Sequence, residues 1–421
     1  MNIVLCKWDE SALRSFLARG AGIILIVDKS DRTWEEMPES ILERMMRVYE
    51  VDTTDSIDEL TAVAVDLELS GTTVDRVVTS HEQAQYGAGF LAQRLGLDPA
   101  ALITITGVRD KRYMKSRVGG AGVRVARFST IGSRSDATDV DEVADHVGFP
   151  MVVKPVNGMG TIATTRVHDR AQLNSLVETF DYTAPGVRSR QLVAEESISG
   201  DEYHIDAVWR DGDPWVFSIS RFFCPRLALN EGAGINGSYT LAERDYPELY
   251  EAALKMHKAA NSALGIERGI THLEMFAGST SEDLIFSEVA TRPGGGGVIP
   301  IVREKYGPNL YDAWAEETLD GDRSNLAWKQ SPYPYVGGLN ITPEQSGVIS
   351  KLPDFDELLQ RPNILSLECP RTVGSRITLA HPSVWCLMLV IGTETEEEMI
   401  RLAAELKKTV TIEVTPFPES G

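Results

Sequence analysis

"THLEMFAGSTSEDLIFSEVATRPGGGG", residues 271–297, reads as two short apolar strands around a polar turn, followed by an arginine and four glycines. With the turn centred on Ser281, Glu274 and Glu288 stand opposite each other, each seven residues from the centre. The same register pairs Leu273 with Val289, Phe276 with Phe286 and His272 with Ala290. Directly opposed β residues have Cβ atoms about 5 Å apart, where like charges destabilise, so two carboxylates there call for a cation between them. Oxygen ligands without a Cys/His cluster favour Mg²⁺ over zinc. Arg292 points to the same side by the two-residue period of a strand. A solvated face would also explain both acids. The glycine run admits three readings: a linker, a phosphate-cradling loop, or a wall of a metal–nucleotide site.

The 421 residues suggest two to four domains and enough chain for a sizeable core. A hydrophobic fraction of 43% and a charged fraction of 24% are ordinary globular values. The formal charge of −21, from 41 basic and 62 acidic side chains, repels nucleic acid and anionic membranes, and neither is expected as a partner. An anionic ligand would need a locally basic pocket and a metal. Cys6, Cys224, Cys369 and Cys386 form no CxxC or Cys/His cluster, which fits a reducing compartment. "MNIVLCKWDE" meets charge too early for a signal peptide, and "WCLMLVI" is a third of a membrane span. A soluble, cytoplasmic protein is expected.

Residues 1–107 alternate apolar strands ("NIVLC", "GIILIVD", "MRVYEVD", "DRVVTS") with helical stretches near 11–19, 39–46 and 56–69. That alternation predicts an α/β domain with a parallel sheet. Ser80 and Gln83 have the spacing of a capping box opening the helix "HEQAQYGAGFLAQRLGL". No glycine follows the first strand and GK occurs nowhere, so a Rossmann fingerprint and a Walker loop are both absent. That removes the dehydrogenase reading.

From about 108 to 330 the pattern is α+β. A basic helix "VRDKRYMKSRV" precedes expected strands "VRVARFST", "PMVVKPV", "TIATTRV", "QLVAEESISGDEYHIDAVW" and "PWVFSISRFF", with a long helix near 246–264. After "KQSPYPYVGG" a smaller α+β unit is expected over 331–421. It ends in "TETEEEMIRLAAELKK", acidic at its start and basic at its end as the helix dipole prefers.

Lys154 sits in "PMVVKPV", where a lysine is costly unless an anion is near, although an edge lysine could instead snorkel to water. The turn "NGMG" offers free N–H groups to phosphate oxygens, or is an ordinary hairpin turn. Lys111 reads first as part of a solvated basic face. Glu195 and Glu202 flank a glycine turn.

In order and spacing, "GFLAQRLGLDP…VRDKRYMKSRV", "FPMVVKPVNGMGT", "LVAEESISGDEYHIDAV", "HLEMF" and "FSEVATRPGGGG" together resemble the ATP-grasp superfamily of carboxylate–amine ligases. The likeness runs from about residue 80 to 300 and is nearest the L-amino-acid (dipeptide) ligase branch. It implies a pre-ATP-grasp domain over 1–107, an ATP-grasp domain over 108–330 with a lid of about 120–197, and a C-terminal β-rich subdomain. It also implies ATP and Mg²⁺ (one or two ions, with Mn²⁺ as a substitute), small amino-acid or amine substrates, and a homodimer. Lys111 and Lys154 would contact the ATP phosphates under a loop of Asn157, Gly158, Met159 and Gly160. Glu195, Glu196 and Ser197 would meet the adenine, and Glu202 the ribose. Glu274 and Glu288 would hold the metal. Arg292 would grip the substrate carboxylate or the transferred phosphoryl group, and Gly294 and Gly295 would let substrate come close, with His272 beside them. Glu231, in the lid-like loop "CPRLALNEGAGINGSYT", is a candidate for a substrate amine, or a surface acid. The family pattern Glu-x-Asn-x-Arg is broken by Ala290, which cannot ligate a metal. The implied activity is amide formation through an acyl phosphate; transfer to a carrier thiol or internal amine, or ATP binding without chemistry, are the alternatives.

Overall fold

The computed structural model describes residues 1–421 except 32–37, 133–139, 185, 231, 233, 279–282, 380–383 and 418–421. Four parallel strands, β1 (Asn2–Cys6), β2 (Gly22–Asp28), β3 (Met45–Val51) and β4 (Arg76–Val78), form the first sheet in the order β3-β2-β1-β4. The Val/Ile/Leu runs of the inner strands β1 and β2 are buried, as a sheet covered on both faces requires, while the edge strands β3 and β4 are mostly half-exposed. The helical stretch expected over 39–46 stops at Leu42, because the β-branched segment from Met45 joins the sheet instead. The capping box does not form. Ser80 Oγ donates to Asp9 Oδ2 at 2.6 Å, and the chain enters its helix through a 3₁₀ turn at Glu82–Ala84 with no side-chain cap.

A second sheet holds β5 (Phe128–Ile131), β6 (Met151–Pro155), β7 (Thr165–Val167) and β8 (Leu192–Glu196) in the order β5-β8-β6-β7, all antiparallel. Two expected strands are shorter than anticipated. The segment 161–164 turns, with Thr161 and Ala163 at positive φ, and 123–127 leaves only a bridge from Val125 to Phe286.

The largest sheet has eight strands. These are β9 (Asp201–Arg210), β10 (Asp213–Phe222), β11 (Gly237–Thr240), β12 (Gly269–Ala277) and β13 (Leu284–Ala290), then β14 (Tyr335–Ile341), β16 (Ile364–Glu368) and β18 (Leu387–Thr393). The order is β13-β12-β9-β10-β11-β14-β18-β16, so strands from beyond residue 331 extend the same sheet. The strands β15 (Gly347–Lys351), β17 (Arg376–Ile377) and β19 (Glu413–Pro416) form a small fourth sheet. One continuous core runs from the helices Lys111–Gly120 and Pro247–Leu264 to the C-terminal helix Glu396–Thr409. The parallel sheet docks on the large one through the helices Glu10–Ala18 and Leu310–Thr318, where Phe16 meets Trp314 edge-on at 5.2 Å. No helix among the described residues is long and apolar enough to cross a membrane.

Candidate active site

Glu274 and Glu288 are register partners on β12 and β13, and Leu273–Val289 and His272–Ala290 pair as the sequence predicts. The expected Phe276–Phe286 pair does not form. A bulge after Glu274 slips the register by one, so Met275 faces Phe286 and Phe276 faces Ile285. The turn centre, Ser281, lies outside the described residues. The bulge leaves the acids opposed while re-aiming the strand beyond them.

Lysines from two other elements converge on this pair. Asp110 caps the helix Lys111–Gly120, which places Lys111 in its first turn. Lys111 is buried, contrary to the solvated face its basic neighbours suggest. Its Nζ donates to Gly158 O at 2.8 Å and lies 3.1 Å from Glu288 Oε2. Lys154, on β6, lies 3.1 Å from Glu195 and 3.8 Å from Glu288. One turn beyond Lys111, Lys115 is 1% exposed, 3.5 Å from Glu195, and donates to Ser287 O at 2.5 Å. Sequence reasoning missed Lys115; its spacing of four from Lys111, on the same helix face, was the available signal.

Burial would raise the Glu288 carboxyl, but Lys111, Lys154 and Lys115 hold it well below the usual carboxylate range. Burial likewise opposes ionisation of Glu195, which Lys115 and Lys154 keep depressed. Desolvation lowers Lys115, whereas Glu195 and Glu288 overcome desolvation at Lys154 and raise it. Glu202, which accepts the Arg226 backbone N–H at 2.7 Å, is pushed up to about 8 by burial and by the neighbouring Glu274 charge.

Around these groups lie two connected clefts. The first runs between the β5–β8 sheet and the β12–β13 edge, with Lys154, Glu195, Glu196, Ser197, Glu202 and Phe286 in its walls. The turn Asn157–Gly160 closes it. Asn157 O accepts from Arg109 at 2.7 Å, and Met159 and Gly160 face both clefts. Glu196 turns outward to Arg127 at 3.1 Å. The second cleft, with about 480 Å³ of room, continues past Glu274 and Glu288 to Arg292, Gly294 and Gly295. It also draws Asp9, Asn340 and Trp385 from the two ends of the chain. Arg292 pairs with Glu82 and donates to Pro293 O at 2.8 Å, and the Glu82 charge outweighs burial to raise it. Glu231 lies outside the described residues.

A chain of buried polar groups backs the second cleft, and apart from His272 it was not anticipated. Asp206, fully buried, accepts from His272 Nδ1 at 2.8 Å and His204 Nδ1 at 2.6 Å, and His204 Nε2 meets Ser238 Oγ at 2.8 Å. Burial would raise Asp206, but the two imidazoles lower it; in return Asp206 outweighs burial at His272, raising it to about 9. The alternation His204-x-Asp206 on β9 was the legible signal. Three donors lie within 4.8 Å of one another, yet both Asp206 oxygens are taken by ring N–H groups, so the carboxylate serves to orient the rings.

Glu274 and Glu288 are cross-strand partners that both line the second cleft, and a pair of oxygen donors of this kind suits a hard divalent cation.

A small antiparallel sheet set against a large one, beside a parallel sheet, is the ATP-grasp fold, and residues 147–301 match the model of the ATP-grasp domain. ATP-grasp ligases in general use ATP and Mg²⁺ with small-molecule substrates. The L-arginine-specific L-amino acid ligase of Bacillus subtilis is 26% identical over 370 residues, covering 87% of each chain. The N5-carboxyaminoimidazole ribonucleotide synthase of Vibrio vulnificus (strain CMCP6) is 26% identical over 250 residues, 58% of this chain and 62% of its own. In fold, the L-amino acid ligase from Bacillus licheniformis superposes with a TM-score of 0.75 at 20% identity, over 98% of both chains.

Proposed function

We propose that the protein is an ATP-dependent ligase joining the carboxylate of an amino acid to a second amine through an acyl phosphate, with release of ADP and phosphate. The opposed Glu274–Glu288 pair, with Lys111 and Lys154 both reaching Glu288, carries this reading. The similarity to L-amino acid ligases over most of the chain supports it.

Lys111 and Lys154 bind the ATP phosphates, under the loop Asn157–Gly160. Glu195 to Ser197 would meet the base, and Glu202 the ribose hydroxyls. Glu274 and Glu288 hold one or two Mg²⁺ ions, for which Mn²⁺ substitutes. The bound metal neutralises charge on the transferring phosphoryl group. Lys111 and Lys154, both beside Glu288, would place their charge against the phosphate oxygens. Arg292 orients the attacking carboxylate and stabilises charge on its oxygens. The amine then displaces phosphate, and the closed cleft limits loss of the acyl phosphate to water.

In this reading 1–107 shapes the substrate end, 108–330 holds ATP with a lid of about 120–197, and 331–421 completes the cleft wall. We also place the protein in the cytoplasm, in keeping with its four free cysteines, and expect a homodimer, which light scattering tests. The direct experiment is an ADP-release screen over amino-acid pairs, with Glu288→Gln as control. The reading is overturned if no pair stimulates ADP release.

A further inference from the structure

In the order β3-β2-β1-β4, the chain leaves β1 toward β2 on one side, while β4 lies on the other. Open parallel sheets take ligands outside the carboxyl ends of their strands at such a break. Asp9, just past β1, meets Ser80, just past β4, across it, and both line the second cleft with His81 and Glu82. Glu82 pairs with Arg292. His81 therefore stands at the end of the cleft where the ligase reading puts the activated carboxylate.

His81 Nε2 lies 2.8 Å from Trp8 O. A carbonyl oxygen only accepts, so Nε2 carries a proton and the neutral ring has its lone pair on Nδ1. Nδ1 has no hydrogen-bond partner among the described residues. Other candidate bases along this cleft are committed. Asp9 accepts from Ala12 N at 3.0 Å through Oδ1, and from Ser80 Oγ at 2.6 Å and Tyr311 Oη at 2.8 Å through Oδ2. Burial would raise Glu82, but Arg292 and Arg109 hold it below its usual range. Both ring nitrogens of His204 are bonded. His272, which Asp206 raises to about 9 against the cost of burial, keeps its proton at neutral pH.

Amide formation needs a base here. An amino acid reaches the cleft at neutral pH as an ammonium ion, without the lone pair that attack requires. Resting on the ligase reading, we propose that His81 Nδ1 is the general base that takes a proton from the incoming ammonium group. The freed amine forms the C–N bond as the acyl C–O bond breaks, and that bond's electron pair leaves on the phosphate oxygen. A second proton departs from the nitrogen with the phosphate, giving hydrogen phosphate, and His81 returns its proton to water. Trp8 O holds the ring's orientation through both states, since Nε2 is protonated in each.

Hydroxylamine supplies the test, because it is already neutral near pH 7 and attacks an acyl phosphate without a base. The full chain is given ATP, Mg²⁺ and an equimolar mixture of the standard amino acids, with or without hydroxylamine, and dipeptides and hydroxamates are measured by mass spectrometry. In His81→Gln, dipeptide formation near pH 7 should fall by about 100-fold, the worth of a general base, while hydroxamate formation falls no more than about 3-fold. The dipeptide deficit should narrow as pH rises and free amine accumulates. His81→Ala should regain dipeptide formation with added imidazole. Dipeptide formation in His81→Gln within about 3-fold of wild type overturns the proposal. So does loss of both products in both variants without rescue by imidazole, which marks a structural role. Wild-type protein that forms neither product removes the ligase reading itself, whereas products that are indifferent to His81 remove only the base.

Discussion

Lys154 Nζ stands 3.1 Å from Glu195 and 3.8 Å from Glu288, so one ammonium ties β8 of the small sheet to the edge strand β13 of the large one. Removing it leaves Glu195 with Lys115 as its remaining cation and takes a charge from the end of the cleft assigned to the phosphates. Lys154→Met should lower metal-free stability by about 3 kcal/mol, the cost of breaking a buried pair. It should weaken ATP binding by about 10- to 100-fold, the worth of a hydrogen bond to a charged group. Thermal melting and nucleotide titration check both.

Glu288→Gln separates folding from chemistry. The amide keeps the shape of the side chain but leaves Lys111 without its carboxylate at 3.1 Å. ADP release should fall by about 10³-fold, the scale on which lost transition-state charge stabilisation acts. The stabilisation that divalent metal gives in a melting experiment should shrink with it. Unchanged turnover would remove the metal assignment.

Stability should depend on pH through two groups that hold protons in the folded chain. Glu202 is raised to about 8 by burial and Glu274; at His272 the Asp206 charge outweighs burial and gives about 9. Unfolded values are about 4.3 and 6.5. The folded state therefore binds more protons between these limits. The stability is complete below the unfolded values and is lost as pH rises through the folded ones. Metal-free protein should lose stability progressively from about pH 5 to pH 9, and Glu202→Gln should flatten the lower part of that slope. Glu288 and Asp206, both depressed, act oppositely and lose their contribution in acid. Melting temperatures across that range decide it, and identical slopes for wild type and Glu202→Gln would count against the Glu202 assignment.

Gly294 is a matter of room rather than backbone freedom. A Cβ there would stand 2.5 Å from Asp206 Oδ1 and 2.7 Å from His272 Nδ1, on the two ends of their hydrogen bond. Gly294→Ala should cost about 1–3 kcal/mol of stability, as overpacking does. It should lower amino-acid-dependent turnover while leaving the KM for ATP unchanged, because its neighbours belong to the second cleft.

Much of this was legible because strand pairing is local arithmetic. Counting from Ser281 places Glu274 opposite Glu288 and His272 opposite Ala290, as the ladder has them. The count fails past Glu274, because a bulge depends on packing that a two-residue period does not encode. The burial of Lys111 does not follow from its neighbours in sequence for a related reason. Its neighbours Arg112 and Lys115 make the helix look uniformly basic, whereas the fold buries one face of it against acids from β8 and β13. Glu82 and Asp206 act over separations of 210 and 66 residues from Arg292 and His272, distances at which spacing carries no signal. Ser80 shows the converse: its local cap pattern is real, but Asp9 takes its hydroxyl.

The two clefts have different ancestry along the chain. Walls of the first come from residues 111 to 288, whereas the second recruits Asp9 near the start and Asn340 and Trp385 near the end. The Lys154 and Glu195 end of the first cleft can therefore stay as it is while changes at Asp9, Asn340 or Trp385 reshape the far wall of the second.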